Sequence, residues 1–393
     1  MAMLLSAARL WDGHRLVDRP LIRIEDGLIV SIGRAEPGNQ PPQSAGDFHS
    51  PTATLAPAFF DVHIHGAAGH DVMEATPEAL GAMGRFLATR GTANYLATTV
   101  TAPLEATLRA VSRLAKLIQS PGVLAVGDAP AARPIGIHIE GPFLSSKRCG
   151  VQPKEHLLAP SISIFDRLYE AAEGQIRLMT LAPELPGAIE LVRHAVARGV
   201  RVSLGHSDAN TAETLAAVAA GATSATHVFN AMRPLDHREP GILGVALATD
   251  ALNAEFICDG IHTAPEIARL WYRAKGPERA ILVTDAISAT GMSDGEYTLG
   301  GFPVRVANGR AMARGVLAGS VLTLDRALAN LLVFTGAPLA DALRLLSTNP
   351  AAMTGLEAIA GSVEVGKPAN LVAVDRQGKL LLSIIHGKLA TSP

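Results

Sequence analysis

Between residues 55 and 285 the chain repeats one pattern: a short apolar, β-branched run, then an amphipathic stretch. The runs fall at 55–65, 93–99, 134–140, 176–181, 200–206, 223–229, 253–259 and 280–285. Helix punctuation marks the stretches between them. Thr76-Pro77 opens 78–90 with Gly91 just past its end, and 186–198 is closed by Gly199. Proline at a helix start and glycine beyond its end is the expected asymmetry. Strands separated by helices of this kind pair in parallel and are covered on both faces. Eight runs in roughly 230 residues match the (β/α)8 barrel, which typically takes about 250. A doubly wound sheet uses the same alternation, and run count does not separate the two. No further self-similarity of 20–50 residues points to a solenoid.

The two ends of the chain differ from the middle. Short strand patterns occupy 3–10, 21–24 and 28–32, the last after an Asp26-Gly27 turn signal, and others occupy 370–374 and 380–386. A Pro/Gln/Ser-rich stretch at 37–51 reads as a linker or surface loop. The expected organisation is a β-sandwich part at 1–54, a barrel at 55–357 and a second sandwich part at 358–393. Residues 295–315 break the βα rhythm with alternating pieces at 297–300 and 302–306 and an Asn308-Gly309 turn, suggesting a hairpin beside the barrel mouth. Helical patterns at 322–334 and 339–346 follow.

Composition closes off several classes. Of 393 residues, 48% are apolar and 18% charged, which excludes a disordered chain. Lys+Arg number 34 against 36 Asp+Glu, a net charge of -2 with no basic cluster, so nucleic acid is not the expected partner. Cys149 and Cys258 are the only cysteines; they exclude a disulfide framework and fit a reducing compartment. The richest apolar stretch, 241–257, is broken by Asp250 and Glu255, so no membrane span is expected. Residues 1–10 lack a basic leader region and read as a first strand. A soluble cytoplasmic protein is the expectation.

The chemistry lies where polar residues end apolar runs. The first run ends Asp61-Val62-His63-Ile64-His65. Strand side chains alternate with period two, so His63 and His65 share a face. At the C-terminal end of a barrel strand that face is the interior, where active sites are built. Two imidazoles there suit a divalent metal, although an isolated His-x-His is more often a hydrogen-bonded core pair. The third run closes His138-Ile139-Glu140-Gly141-Pro142, and a buried carboxylate is costly unless paired or bound to a cation. The fifth ends in His206, the sixth contains His227, and the eighth ends in Asp285. One polar strand end carries little weight; this set, at the same end of several runs, points to a metal centre. His138 shares a face with Glu140 and is compatible with a role one layer below the ligands or with a satisfied core histidine. His14, His49, His70, His156, His194 and His386 fall in loops, helices or the tail and are given no direct role.

A divalent metal beside a lone aspartate points to hydrolysis, because the metal acidifies water and polarises a carbonyl while the carboxylate moves the proton. Asp285 is the candidate shuttle, with a role as a further ligand left open. No Gly-x-Ser-x-Gly elbow, phosphate loop or Gly-x-Gly-x-x-Gly fingerprint opens a helix.

At this point the chain resembles the amidohydrolase superfamily, and within it the N-acetylglucosamine-6-phosphate deacetylase family. The likeness runs from the first strands to Gly366-Lys367-Pro368-Ala369-Asn370-Leu371. It is carried by His138-Ile139-Glu140-Gly141-Pro142-Phe143, Leu181-Ala182-Pro183-Glu184, Gly205-His206-Ser207 and Thr226-His227-Val228-Phe229-Asn230-Ala231-Met232. Arg238-Glu239-Pro240-Gly241, Asp259-Gly260-Ile261-His262, Val283-Thr284-Asp285-Ala286 and Leu317-Ala318-Gly319-Ser320 complete it.

The resemblance implies a (β/α)8 barrel with a small β-sandwich made from both termini. It implies hydrolysis of the N-acetyl group of N-acetylglucosamine 6-phosphate, with N-acetylgalactosamine 6-phosphate or another cyclic amide as rival substrates. A non-catalytic barrel scaffold is the rival of another class, and intact ligand positions argue against it. Glu140, His206 and His227 would bind the principal metal, His63 and His65 would complete a second position, and Asp285 would donate and accept the proton. The cofactor is then Zn or Fe, one or two per subunit. Single-metal relatives often carry a histidine where Gln152 falls, which implies that the metal would do more of the carbonyl polarisation here. Asn230 and Ala231 would lie near the sugar phosphate, where amides hydrogen-bond its oxygens. His262 and Arg238 would add positive charge, Arg238 across a homodimer interface. Val151, Gln152, Leu317, Ala318 and Gly319 complete the substrate-binding set. Read without the resemblance, Asn230 is equally a cap and Arg238 a surface arginine. Cys149, just after Lys147-Arg148, is expected to be a solvated loop residue without catalytic duty.

Overall fold

The computed structural model describes residues 2–35, 47–124 and 128–390. Eight strands form one parallel sheet in chain order: Phe59–Ile64, Thr92–Thr99, Arg133–Glu140, Ile176–Leu181, Arg201–Leu204, Ser224–Ala225, Asn253–Ile257 and Ala280–Val283. The ring closes where the last strand meets the first. A parallel bridge joins Ile64 to Ala286. The Asp285 N–H donates to the His63 carbonyl at 2.9 Å, and the His65 N–H to that of Ala286 at 2.8 Å. Closure decides for the barrel over the doubly wound sheet.

Local chemistry sets the helices between the strands. Thr76 Oγ1 accepts the Ala79 N–H to start Pro77–Thr89. Asn210 and Glu213 exchange side-chain and backbone bonds in a capping box that starts Thr211–Ala220. In Leu104–Gln119 the buried residues Thr107, Ala110, Val111, Leu114 and Ala115 recur every three or four positions, the stripe that lies against the barrel.

The ends of the chain make the small β-domain. Phe48–Pro57 pairs in parallel with Ala2–Trp11 and antiparallel with Leu371–Val374, joining N- and C-terminal strands in one mixed sheet. Strand alternation divides its side chains between two cores. Leu371 and Ala373 join Leu5, Ile22 and Ile384 in the small core, while Val372 and Val374 join the barrel core.

Several details depart from the sequence pattern. Residues 48–51, expected in a loop, begin the strand Phe48–Pro57; the rest of the anticipated linker falls largely on 36–46, outside the described residues. The first apolar run is two strands, because 55–57 belong to the mixed sheet. The sixth run yields only Ser224–Ala225, after which the chain turns. There the Val228 N–H reaches the Glu255 carbonyl and the Ser207 N–H reaches that of Ala231. The anticipated hairpin is a four-stranded antiparallel sheet, Gly295–Leu299, Phe302–Ala307, Arg310–Ala313 and Val316–Leu317. Cys149 is buried, not solvated. Among the described residues, no helix is long and apolar enough to cross a membrane.

Candidate metal centre

The strand ends converge on one buried cluster. His63 and His65, on one face of Phe59–Ile64 and its extension, place their Nε2 atoms 3.3 Å apart. Glu140 ends the third strand, and its Oε1 lies 3.0 Å from His206 Nε2, 3.1 Å from His227 Nε2 and 3.4 Å from His63 Nε2. Its Oε2 lies 3.3 Å from His65 Nε2. Asp285 Oδ1 is 3.1 Å from His65 Nε2 and 3.6 Å from His63 Nε2. Two sets of converging donor atoms share His63: His63/His65/Asp285 and His63/Glu140/His227.

The outer ring nitrogens explain the convergence. Nδ1 of His206 lies 3.2 Å from the Arg148 carbonyl, and Nδ1 of His65 lies 3.2 Å from that of Thr98. A carbonyl only accepts, so each Nδ1 donates, and when the ring is neutral, as in a metal ligand, its Nε2 lone pair faces inward. His63 Nδ1 faces Glu255 Oε2 at 3.4 Å. These are the outer contacts that orient metal-ligating histidines. Separations of 3.0–3.4 Å between inward atoms match the edge of roughly 3.3 Å expected for nitrogens bound about 2.05 Å from a tetrahedral ion. The donor set therefore fits a divalent cation.

His138 is resolved as a core partner. Both its nitrogens are used, Nε2 on Thr180 Oγ1 at 2.8 Å and Nδ1 beside the Val62 carbonyl at 3.2 Å. Its ring packs edge-on against His63. Thr180, Thr226 and Ser203 continue the hydroxyl chain beneath the site.

Two supporting groups, Asp61 and Glu255, were not anticipated from sequence, and Gln152, expected beside the sugar, also makes an unanticipated contact to a site carboxylate. Asp61 accepts the Thr284 hydroxyl at 2.6 Å, tying the first strand to the eighth. Glu255 is fully buried beside His63; a charged residue inside the seventh apolar run was its available signal. Gln152 donates to Glu140 Oε2 at 2.6 Å and accepts the Thr101 N–H at 2.9 Å, a loop contact with no local signature.

Backbone strain concentrates here. His206, His227, Ala231 and Asp285 all adopt positive φ, at 47°, 29°, 50° and 50°, a conformation costing roughly 1–2 kcal/mol per residue for side chains with a Cβ. The turn after Glu140 uses Gly141 at φ 84°, where a Cβ would collide with the Thr101 hydroxyl.

The charges balance internally. Burial opposes ionisation of Glu140, but His63 and His206 outweigh it and hold the carboxyl well below the usual range. Burial likewise opposes ionisation of Asp285, and His65 and His63 bring it down to about 2. Burial works against a charge on His65, yet Asp285 and Glu140 push it up to about 9. The carboxylates thus hold positive charge at the centre, the charge a divalent cation supplies. Burial pushes Asp61 up to about 7, against the Thr284 hydrogen bond.

Above the cluster opens a cleft of about 270 Å³, lined by His65, Glu140, His206, His227 and Asp285. Val151, Gln152, Asn230, Ala231, His262, Leu317 and Gly319 also line it. His63 lies beneath, fully buried. Ala318 turns away into the core under the antiparallel insert. Arg238 sits on an exposed loop outside the lining. Asn230 folds its amide back to the His227 carbonyl at 3.2 Å. His262 is braced by Asp259, its Nδ1 2.7 Å from Oδ2. Burial disfavours charge on His262, but Asp259 raises its pKa above the ordinary value.

The profile of the Amidohydrolase family matches residues 54–390. This chain belongs to the amidohydrolase family. Among curated amidohydrolase relatives, an N-acetylglucosamine-6-phosphate deacetylase of Bacillus subtilis (strain 168) is 37% identical over 96% of this chain and 94% of its own. An N-acetylgalactosamine-6-phosphate deacetylase of Escherichia coli O157:H7 is 36% identical over 100% of both. Among solved structures, a mutant N-acetyl-D-glucosamine-6-phosphate deacetylase of Mycobacterium smegmatis, in complex with N-acetyl-D-glucosamine-6-phosphate, superposes with a TM-score of 0.91. It is 34% identical and covers 100% of both chains. The barrel and terminal sheet of this amidohydrolase are thus shared with that enzyme along their whole length.

Proposed function

We propose that this amidohydrolase removes the N-acetyl group of N-acetylglucosamine 6-phosphate, giving glucosamine 6-phosphate and acetate. The observation that carries the reading is the cleft itself: five imidazole and carboxylate groups converge at its floor, in a chain similar end to end to deacetylases of N-acetylated sugar phosphates.

When bound, a divalent metal supplies Lewis acidity at this floor, acidifying water and polarising the acetyl carbonyl. Zn and Fe both suit the donors. The division into His63/His65/Asp285 and His63/Glu140/His227, with His206 beside Glu140, supports two positions. Asp285, ionised against burial by His65 and His63, takes the proton from the attacking water as the new carbon–oxygen bond forms. It returns that proton to nitrogen as the carbon–nitrogen bond breaks, so that a neutral amine leaves. His65 holds Asp285 Oδ1 in position at 3.1 Å.

Asn230, Ala231 and His262 would receive the phosphate, and Val151, Gln152, Leu317 and Gly319 would flank the sugar; their shared lining of the cleft supports this. Ala318 would act through packing beneath that segment. Arg238, exposed and without an ion-pair partner among the described residues, would reach the phosphate of a second copy in a homodimer. Two free cysteines support a reducing, cytoplasmic setting.

A second reading exchanges the sugar for its C4 epimer, favoured by the full-length similarity to the Escherichia coli N-acetylgalactosamine-6-phosphate deacetylase. Acetate release from both phosphorylated epimers and from unphosphorylated N-acetylglucosamine, by protein loaded with Zn or Fe, tests both. Release from the gluco phosphate alone supports the first reading; preference for the galacto phosphate replaces it with the second. No release from any of them defeats both.

A further inference from the structure

A second polar cavity lies at the opposite end of the barrel. Arg133 opens the strand Arg133–Glu140, seven steps of about 3.3 Å, or roughly 23 Å, from the carboxylate at its other end. His386 and Lys388 lie at the turn between Leu380–Ile385 and Lys388–Ala390. Together with the wall formed by Pro121, Leu124 and Pro130 they enclose about 80 Å³. That is room enough for several waters or for a tetrahedral oxyanion.

Among the described residues the lining carries cationic or protonatable groups and no carboxylate. Arg133 makes no ion pair or side-chain hydrogen bond among the described residues. His386 Nε2 is buried without a partner among the described residues, and an unsatisfied buried donor or acceptor is costly. Among the described residues Lys388 meets only the fully exposed Asp128. The other basic cluster contrasts with this one: Arg148, Arg233 and Lys147 all face Asp208, at 2.9, 3.4 and 3.7 Å. Burial above all, with Arg133 and Lys388 adding to it, pushes His386 down to about 4.

We propose that this cavity is a binding site for a small tetrahedral oxyanion, either inorganic phosphate or the phosphate group of a monoester. Arg133 supplies a forked donor, His386 Nε2 gains the partner it lacks, and Lys388 supplies charge at the rim. An oxyanion held here bridges the base of the third barrel strand and the C-terminal hairpin of the mixed sheet, clamping the two domains together. The site is independent of the proposed reaction, which occupies the other end of the barrel.

Calorimetric titration of the metal-loaded protein with inorganic phosphate, and separately with glucose 6-phosphate, tests it. Wild type is expected to show two classes of phosphate site. Arg133→Gln and His386→Asn should each weaken one class at least tenfold with kcat/KM unchanged; Asn230→Ala should weaken only the other. Asparagine tolerates the left-handed backbone at 386, where φ is 51°, so this variant serves if Arg133→Gln fails to fold. Loss of the second class for inorganic phosphate alone identifies free phosphate as the occupant, and loss for both ligands admits monoesters. A single class weakened by Asn230→Ala and untouched by the other two variants overturns the proposal.

Discussion

The main-chain N–H of Asp285 donates to the carbonyl of His63 at 2.9 Å. One of the bonds that close the barrel therefore also sets the candidate acid/base beside the imidazole shared by both donor sets. Just below it, the Thr284 hydroxyl donates to Asp61 across the same seam. Closing the ring and assembling the site are one event.

Thr284→Val keeps the shape of the side chain and removes that donor, leaving a buried carboxyl short of a partner. Stability should fall by roughly 1–3 kcal/mol. Denaturant melts of the two proteins check this, and equal midpoints at equal slope would show that the seam does not depend on the bond.

Asp285→Asn preserves volume and accepts the positive φ of 50°, so the fold and the metal held by His63, Glu140 and His227 should persist. Turnover should drop about 10²–10⁴-fold, the usual contribution of a positioned acid/base. Elemental analysis alongside steady-state kinetics separates the effects. Near-normal turnover would remove Asp285 from proton transfer.

Gln152→Ala breaks the 2.6 Å bond to Glu140 Oε2 and strands the Thr101 N–H. Metal affinity should fall about 10–100-fold, as when outer contacts of metal ligands are removed. Competition with a chelator reads this directly, and an unchanged affinity would reduce Gln152 to a lining residue.

His386 gives a pH signature. Its folded value of about 4 lies below the ordinary ~6.5, so between these values the unfolded chain binds more protons. Its contribution to stability is thus intact above pH ~6.5 and is lost as pH falls toward 4, by at most about 3 kcal/mol and less with solvent screening. In phosphate-free buffer His386→Asn should flatten this part of the melting-temperature profile. Parallel profiles for the two proteins would assign the acid loss to other groups.

Much of the site was readable because strand ends in a barrel obey a simple rule: apolar residues fill the ring, so a polar residue at the end of a run stands out. His63, His65, Glu140, His206, His227 and Asp285 were visible for that reason. The bonds from Gln152 to Glu140 and from Thr284 to Asp61 were not, since they join distant parts of the chain and periodicity carries no record of them. Glu255 left a trace, a charge inside an apolar run, that went unread. Cys149 looked solvated because its neighbours Lys147 and Arg148 are charged; the fold buries it all the same.

Sequence alone determined the alternation of strands and helices, the pairing of the two ends into a β-domain and the identity of the residues at the strand ends. These follow from local periodicity and from side-chain chemistry. Tertiary structure decided that the sheet closes, that Ala318 turns from the cleft while Gly319 lines it, and that His206, His227 and Asp285 hold a left-handed backbone. It also decided that Arg133 and His386, about 250 residues apart in the chain, share one cavity. Those outcomes depend on packing and hydrogen bonds between residues remote in sequence, whose energies exist only once the ring has formed.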